Sequence, residues 1–192
     1  MKFLKILLKK VINMKYLKVP KERVGVLIGH QGETKKKLEE LSQTKIEIDS
    51  AEGEVIIDEH KTKDPLLVLK IENVIRAIGR GFSPEYAIKL FDEEMDFYIF
   101  DIHEYVGKKD SHIKRVKSRI IGKNGKTKRV IENLTGSDIS IYGHTVSIIS
   151  DFESISIAKK AIDMLLSGSM HSNVYRFIER EMKKLRLGQR FS

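Results

Sequence analysis

Apolar and polar residues alternate in short runs, then switch to a helical spacing, and this succession occurs twice along the chain. Residues 16–19 alternate and predict a strand, as do residues 97–106, which leave through a turn at Gly107. In each block a short helix follows, ending near Ile28 and near Ile121. A turn then opens a charged amphipathic helix, over 34–41 in the first block and 127–134 in the second. Two strands come next: Lys45–Asp49 and Glu54–Asp58 around Glu52-Gly53, then Asp138–Tyr142 and residues 145–150 around Gly143-His144. A long helix closes each block, over 65–80 and 152–166. The order is β-α-α-β-β-α in both, which predicts an α+β fold. Each block adds a further helix. The first opens at Pro84 with Ser83 as its cap. The second runs over about 173–187, with Gly188 as its stop.

The two blocks are copies of one unit. Val26-Leu27-Ile28-Gly29-His30-Gln31-Gly32-Glu33-Thr34-Lys35 matches Arg119-Ile120-Ile121-Gly122-Lys123-Asn124-Gly125-Lys126-Thr127-Lys128 at an offset of 93 residues. Downstream the offset holds for Leu38 with Ile131, Glu39 with Glu132, Leu41 with Leu134, Ile46 with Ile139 and Ile48 with Ile141. One Gly-x-x-Gly is a common accident; two with matching apolar flanks are not. The repeat divides the chain into 15–94 and 95–192, preceded by a basic extension over 1–14.

A Gly-x-x-Gly turn between two helices has a definite chemistry. The second helix presents unpaired N–H groups and a partial positive charge at its start. Glycine lacks a Cβ, so a sugar-phosphate backbone can come close. Gly125-Lys126-Thr127 could also end a phosphate-binding loop of the G-x-x-x-x-G-K-T kind, but that motif needs glycine where Ile120 stands, and the first copy has Glu33 in place of the lysine.

Ile28-Gly29-His30-Gln31-Gly32 and Ile121-Gly122-Lys123-Asn124-Gly125 resemble the signature of KH domains, and the element order matches the type I form. The resemblance implies two tandem type I KH domains. In such domains the turn clamps about four nucleotides, and an apolar groove beside it receives the bases. The groove walls implied here are Val26, Ile28, Ile46 and Ile48, and in the second copy Ile120, Ile121, Ile139 and Ile141, most of which a small domain also needs in its core. Gly79-Arg80-Gly81-Phe82-Ser83-Pro84-Glu85, Gly122-Lys123-Asn124-Gly125-Lys126-Thr127-Lys128 and the closing Gln189-Arg190-Phe191 are similar to the partner-of-Nob family, two-KH proteins of small-ribosomal-subunit assembly. That likeness implies contact with the 3′ region of small-subunit rRNA, work alongside an endonuclease and an rRNA dimethyltransferase, and a cytoplasmic location. Eukaryotic members have a degenerate first turn; the intact Gly29 and Gly32 point to an archaeal-type member.

Charge separates the copies. The chain carries 36 Lys and Arg against 27 Asp and Glu, a net charge of +9, which suits a polyanionic partner. Residues 15–94 hold 14 basic and 16 acidic side chains, a balance of −2; residues 95–192 hold 18 and 11, a balance of +7. Ten basic residues and one acid, Asp110, lie between Lys108 and Arg129. The expected RNA contacts are therefore Gly122, Lys123, Asn124, Gly125, Lys126, Arg119, Lys128, Arg129 and Ile121, with Gly29, His30, Gln31, Gly32 and Lys35 as their weaker counterparts. A protein-docking role for the first unit is the alternative use of that domain.

Other classes are disfavoured. The absence of cysteine excludes disulfides and cysteine zinc sites. The six histidines are scattered, with no HExxH or HxxxH pair, and no metal, cofactor or catalytic constellation is expected. The acidic run Asp92, Glu93, Glu94 and Asp96 reads as a solvated linker. Residues 1–13 place Lys2, Lys5, Lys9 and Asn13 on one helical face and Phe3, Ile6, Leu7 and Val11 on another; the lysines break any signal-peptide stretch, and no stable membrane association is expected.

Overall fold

The computed structural model describes residues 14–60, 62 and 64–188. The expected extension, apart from Met14, and the closing Gln189-Arg190-Phe191 lie outside these residues. The chain divides into two compact units between Asp92 and Glu93. The first unit runs β1 (Met14–Lys18), α1 (Lys21–Ile28), α2 (Glu33–Ser42), β2 (Lys45–Asp49), β3 (Glu54–Asp58), α3 (Pro65–Gly79) and α4 (Pro84–Ala87). The second runs β4 (Met95–Asp101), α5 (His103–Val106), α6 (Asp110–Ile121), α7 (Lys126–Thr135), β5 (Asp138–Tyr142), β6 (Thr145–Asp151), α8 (Phe152–Leu166) and α9 (His171–Gly188). Each unit holds one three-stranded antiparallel sheet, ordered β1-β3-β2 and β4-β6-β5. The central strand is thus the last in sequence, and the outer two meet only through it.

Register follows from which side chains must be buried. Ile46 stands opposite Ile57 in the first sheet, and Ile139 opposite Ile148 in the second, where Phe100 also faces Val146. A slip of one residue would turn each set to the other face. The first core gathers Leu27, Leu38, Ile46, Ile57, Ile71, Ile75 and Ile78, all fully buried. The second gathers Ile120, Ile131, Val146, Ile148, Ala161, Ile162 and Leu165, and extends to Val174 and Ile178 of α9.

The repeat reaches the polar atoms. The Glu39 carboxylate accepts from the Ile46 N–H at 2.8 Å, and Glu132 accepts from Ile139 at 2.9 Å. The Ser42 and Thr44 hydroxyls meet at 2.6 Å, those of Thr135 and Ser137 at 2.7 Å. Ser42 and Thr135 also donate to the carbonyls of Leu38 and Ile131. Buried polar groups cost stability unless paired, and both copies solve this in the same way.

Four expectations need correction. The strand over 97–106 ends at Asp101, because the Asp101 carboxylate accepts from the His103 N–H at 2.8 Å and bends the chain into α5, which Gly107 does close, at φ 69°. Tyr105 of α5 donates to Asp163 of α8, and burial, with that hydrogen bond, pushes its phenol up to about 12. The helix at Pro84 is a single turn followed by a 3-10 turn over Ile88–Phe91, and the Ser83 hydroxyl does not cap it. The nearby Ser83 hydroxyl instead helps to hold the Glu85 carboxyl below its ordinary range. The last helix begins earlier than expected, at His171. Leu41 is 40% exposed whereas Leu134 packs on its core, since α9 covers Leu134 and no described element of the first unit does the same for Leu41. No helix among the described residues is long and apolar enough to cross a membrane.

The long helices α3 and α8 start on aspartates: Asp64 accepts from Leu66 N–H and Asp151 from Ser154 N–H, at 2.8 and 2.7 Å. Replacing Asp151 with Ala should therefore lower the unfolding free energy by about 1 kcal/mol, measured by urea denaturation of the full chain, whereas Asp151→Asn should lose less.

Candidate nucleic-acid interface

The two Gly-x-x-Gly turns are nearly superimposable in backbone angles. Gly29 and Gly122 have φ/ψ of 74°/177° and 73°/173°, a region essentially closed to other residues. Gln31 and Asn124 follow at φ 49° and 52°, in the left-handed region that asparagine tolerates better than most side chains. Gly32 and Gly125 close the turns at φ 81° and 75°. A methyl group at Gly29 would run into the side chain of Thr34, and one at Gly122 into Thr127. The threonine that follows each turn thus occupies the space that glycine leaves.

The tips point outward. His30, Gln31, Lys123, Asn124 and Lys126 are exposed, and Lys126 opens α7 with its own N–H donated to the Lys123 carbonyl. The Arg129 guanidinium donates to the Asn124 carbonyl at 2.7 Å and braces the second turn. Lys128 pairs with Glu132 at 3.0 Å; its counterpart Lys35 lies 3.9 Å from Glu39. Arg119 is turned away from the tip and donates to the Ser169 carbonyl at 2.6 Å. The first turn is followed by exposed Glu33, the second by Lys126, so an anion meets opposite charges at the two helix starts.

The apolar residues divide by depth. Ile46, Ile120 and Ile139 are core. Val26, Ile28, Ile48, Ile121 and Ile141 are half-buried and remain available to a ligand beside the turns.

Two supports for the second turn leave no trace in the residue pattern. The α9 residue Tyr175 donates its hydroxyl to Thr127 Oγ1 at 3.2 Å, and His171 Nε2 hydrogen-bonds the Arg119 carbonyl at 2.9 Å. One turn of α9 therefore brackets the Gly-x-x-Gly turn from both sides. Lys117 donates to the Gly143 carbonyl at 2.9 Å and ties α6 to the β5–β6 turn. His144, distant in sequence, also converges on Asp101 and His103. Helical spacing on α9 could have flagged His171 and Tyr175 as one polar pair; their partners lie too far away in sequence for pattern to reveal.

Two copies of a sheet backed by three helices, each with a glycine-bounded turn opening its second helix, define a tandem type I KH protein. Residues 96–183 match the eukaryotic type KH-domain (KH-domain type I) model for the second domain of PNO1, and residues 14–65 match the KH domain model. The chain is 47% identical over 174 residues to a KH domain-containing protein of Methanocaldococcus jannaschii, covering 91% of this chain and 76% of that one. It is 34% identical over 116 residues to the RNA-binding protein PNO1 of Oryzias latipes, covering 60% of this chain and about half, 48%, of that longer one. Among solved structures, Dim2p of Pyrococcus horikoshii in complex with a/eIF2alpha and rRNA is 45% identical with a TM-score of 0.82, covering 89% of this chain and 94% of that one. The chain belongs to the two-KH-domain family of RNA-binding proteins that includes PNO1 and archaeal Dim2p.

The two glycines of the second turn should differ in tolerance. Gly122→Ala combines a forbidden backbone region with the Thr127 clash and should cost roughly 2–3 kcal/mol. Gly125 has only the Arg129 side chain, 4.0 Å from an added Cβ, so Gly125→Ala should cost about 1–2 kcal/mol, the left-handed penalty alone. Equal losses in urea denaturation would mean that Thr127 yields freely.

Proposed function

We propose that the protein binds single-stranded RNA, chiefly through the second KH domain, and that the RNA is the 3′ region of small-subunit rRNA during ribosome assembly. One observation carries the proposal: a preformed Gly-x-x-Gly turn holds exposed Lys123, Asn124 and Lys126 at the start of α7. Gly122 and Gly125 let the sugar-phosphate backbone approach, the α7 N–H groups and Lys126 attract the phosphate, and Lys123 adds charge at the tip. Ile121 and Ile141 offer apolar surface to bases. Arg129 acts by bracing the turn, and Arg119 and Lys128 through the local field. The rRNA in the Pyrococcus horikoshii Dim2p complex supports the choice of RNA class. An endonuclease and an rRNA dimethyltransferase remain the expected co-workers at that 3′ end.

The first unit has the same turn, with Gly29, His30, Gln31, Gly32 and nearby Lys35, in a segment of net charge −2. Its backbone can still cradle a phosphate, but with less Coulomb attraction. It serves as an auxiliary RNA contact or as a protein-docking surface.

Paired variants of the full chain separate the two roles. Lys123→Asp with Asn124→Asp should abolish most binding to a 3′-end rRNA fragment in fluorescence anisotropy without unfolding, since exposed tips carry little packing. His30→Asp with Gln31→Asp should weaken binding at least about tenfold less, a gap of ~1.4 kcal/mol. Equal losses would contradict the unequal roles. Log affinity should also fall linearly with log salt, and Lys126→Ala should flatten the slope by about 0.7 if that lysine holds one phosphate; a salt-independent affinity would rule out phosphate contacts.

A further inference from the structure

We propose that the second unit carries a transition-metal site formed by Asp101, His103 and His144, suited to zinc. Asp101 ends β4, His103 opens α5, and His144 sits in the β5–β6 turn. Asp101 Oδ1 lies 3.1 Å from His103 Nδ1, and Asp101 Oδ2 lies 3.9 Å from His144 Nε2. The two imidazole rings stack with centroids 4.4 Å apart and planes 23° apart. One ligand atom from each residue lies within 4.8 Å of the other two. Ligands around a tetrahedral zinc sit about 3.3–3.5 Å from one another, so the set closes once the stacked rings rotate to aim their nitrogens at a common point.

The donors fit the class. Two neutral imidazoles and one carboxylate favour zinc and its first-row neighbours over magnesium or calcium, which prefer all-oxygen shells. The carboxylate is already oriented by the His103 backbone N–H, at 2.8 Å, as outer hydrogen bonds orient ligands in metal sites. All three side chains are between 28% and 44% exposed, so an ion can enter and at least one coordination position stays open to solvent.

The first unit shows that the fold itself does not need this cluster. There the Val19 N–H donates to the Gly53 carbonyl at 2.8 Å; in the second unit the Ile102 N–H donates to the His144 carbonyl at the same distance. This bond places Lys18, Pro20 and Gly53 where the second unit has Asp101, His103 and His144. The backbone clamp is common to both copies, and the metal-ligating side chains are an addition to one. An ion there would crosslink the β4–α5 corner to the β5–β6 turn, whose Gly143 carbonyl also accepts from Lys117 of α6.

The test is titration of the full chain, without RNA, by zinc chloride in calorimetry and by cobalt chloride in visible absorption. We expect one zinc per chain, cobalt d–d bands of a low-coordinate nitrogen and oxygen site, and no competition from magnesium. His103→Gln and His144→Gln should each weaken zinc at least about tenfold, while His112→Gln, on exposed α6 surface outside the cluster, should leave it unchanged. Zinc should raise the melting temperature of the unsubstituted chain and not that of His144→Gln. No one-to-one binding at concentrations up to about 100 µM, a free energy of roughly −5.5 kcal/mol, would overturn the site. So would binding that survives both substitutions. Should His103→Gln fail to fold, His144→Gln, in a surface turn, decides the matter alone.

Discussion

The contact between a glycine and the threonine five residues later sets the geometry on which the rest depends. Gly122 takes a backbone conformation that side chains forbid, and Thr127 fills the space that a Cβ would need. This lets α6 stop and α7 start within one tight turn, with the N-terminus of α7 facing outward. Thr127 is itself buried and hydrogen-bonded by Tyr175, so the turn is locked from the core side while its tip stays in water. A phosphate-binding turn works best when its donors are already in place, because little ordering remains to oppose binding.

The same lock occurs in the first unit through Gly29 and Thr34, without a described counterpart of α9 above it. The copies therefore share backbone and differ in what surrounds it. Shared are the turn angles, the Glu39 and Glu132 bonds to strand N–H groups, and the paired hydroxyls behind α2 and α7. Distinct are charge, the covering helix, and the side chains at the β4–α5 corner. Where both copies keep a feature, the fold explains it; where only one does, a particular task of that unit is the better explanation.

Much of this was legible in the sequence because it rests on local rules. Glycine spacing, apolar periodicity and one constant offset yielded both sheets, most helices and the Gly-x-x-Gly turns. What pattern missed was decided by single hydrogen bonds between distant or adjacent polar groups. Asp101 ended a strand that alternation would have carried to Val106. Arg119 looked like a phosphate ligand by its place in the basic run, yet its guanidinium serves the Ser169 carbonyl. Charge counts see a side chain's identity but not its direction, and long flexible arginines are where the two part most readily.

Direction also bears on how an unequal pair of KH domains would work. Long-range attraction depends on the total charge of a unit and is screened over about 8 Å at physiological salt. In the proposed reading it would steer RNA toward the second unit even through residues, such as Arg119, whose side chains are engaged elsewhere. In the proposed reading, contact depends on the few groups at the tip, and the exposed ones in the second unit are Lys123, Asn124 and Lys126. A strand captured there raises the effective concentration of its neighbouring segments, so a second turn with little intrinsic attraction can still be occupied. On those terms the Gly29 conformation matters in a unit of net charge −2, because a site with little charge to help it would depend on geometry already in place.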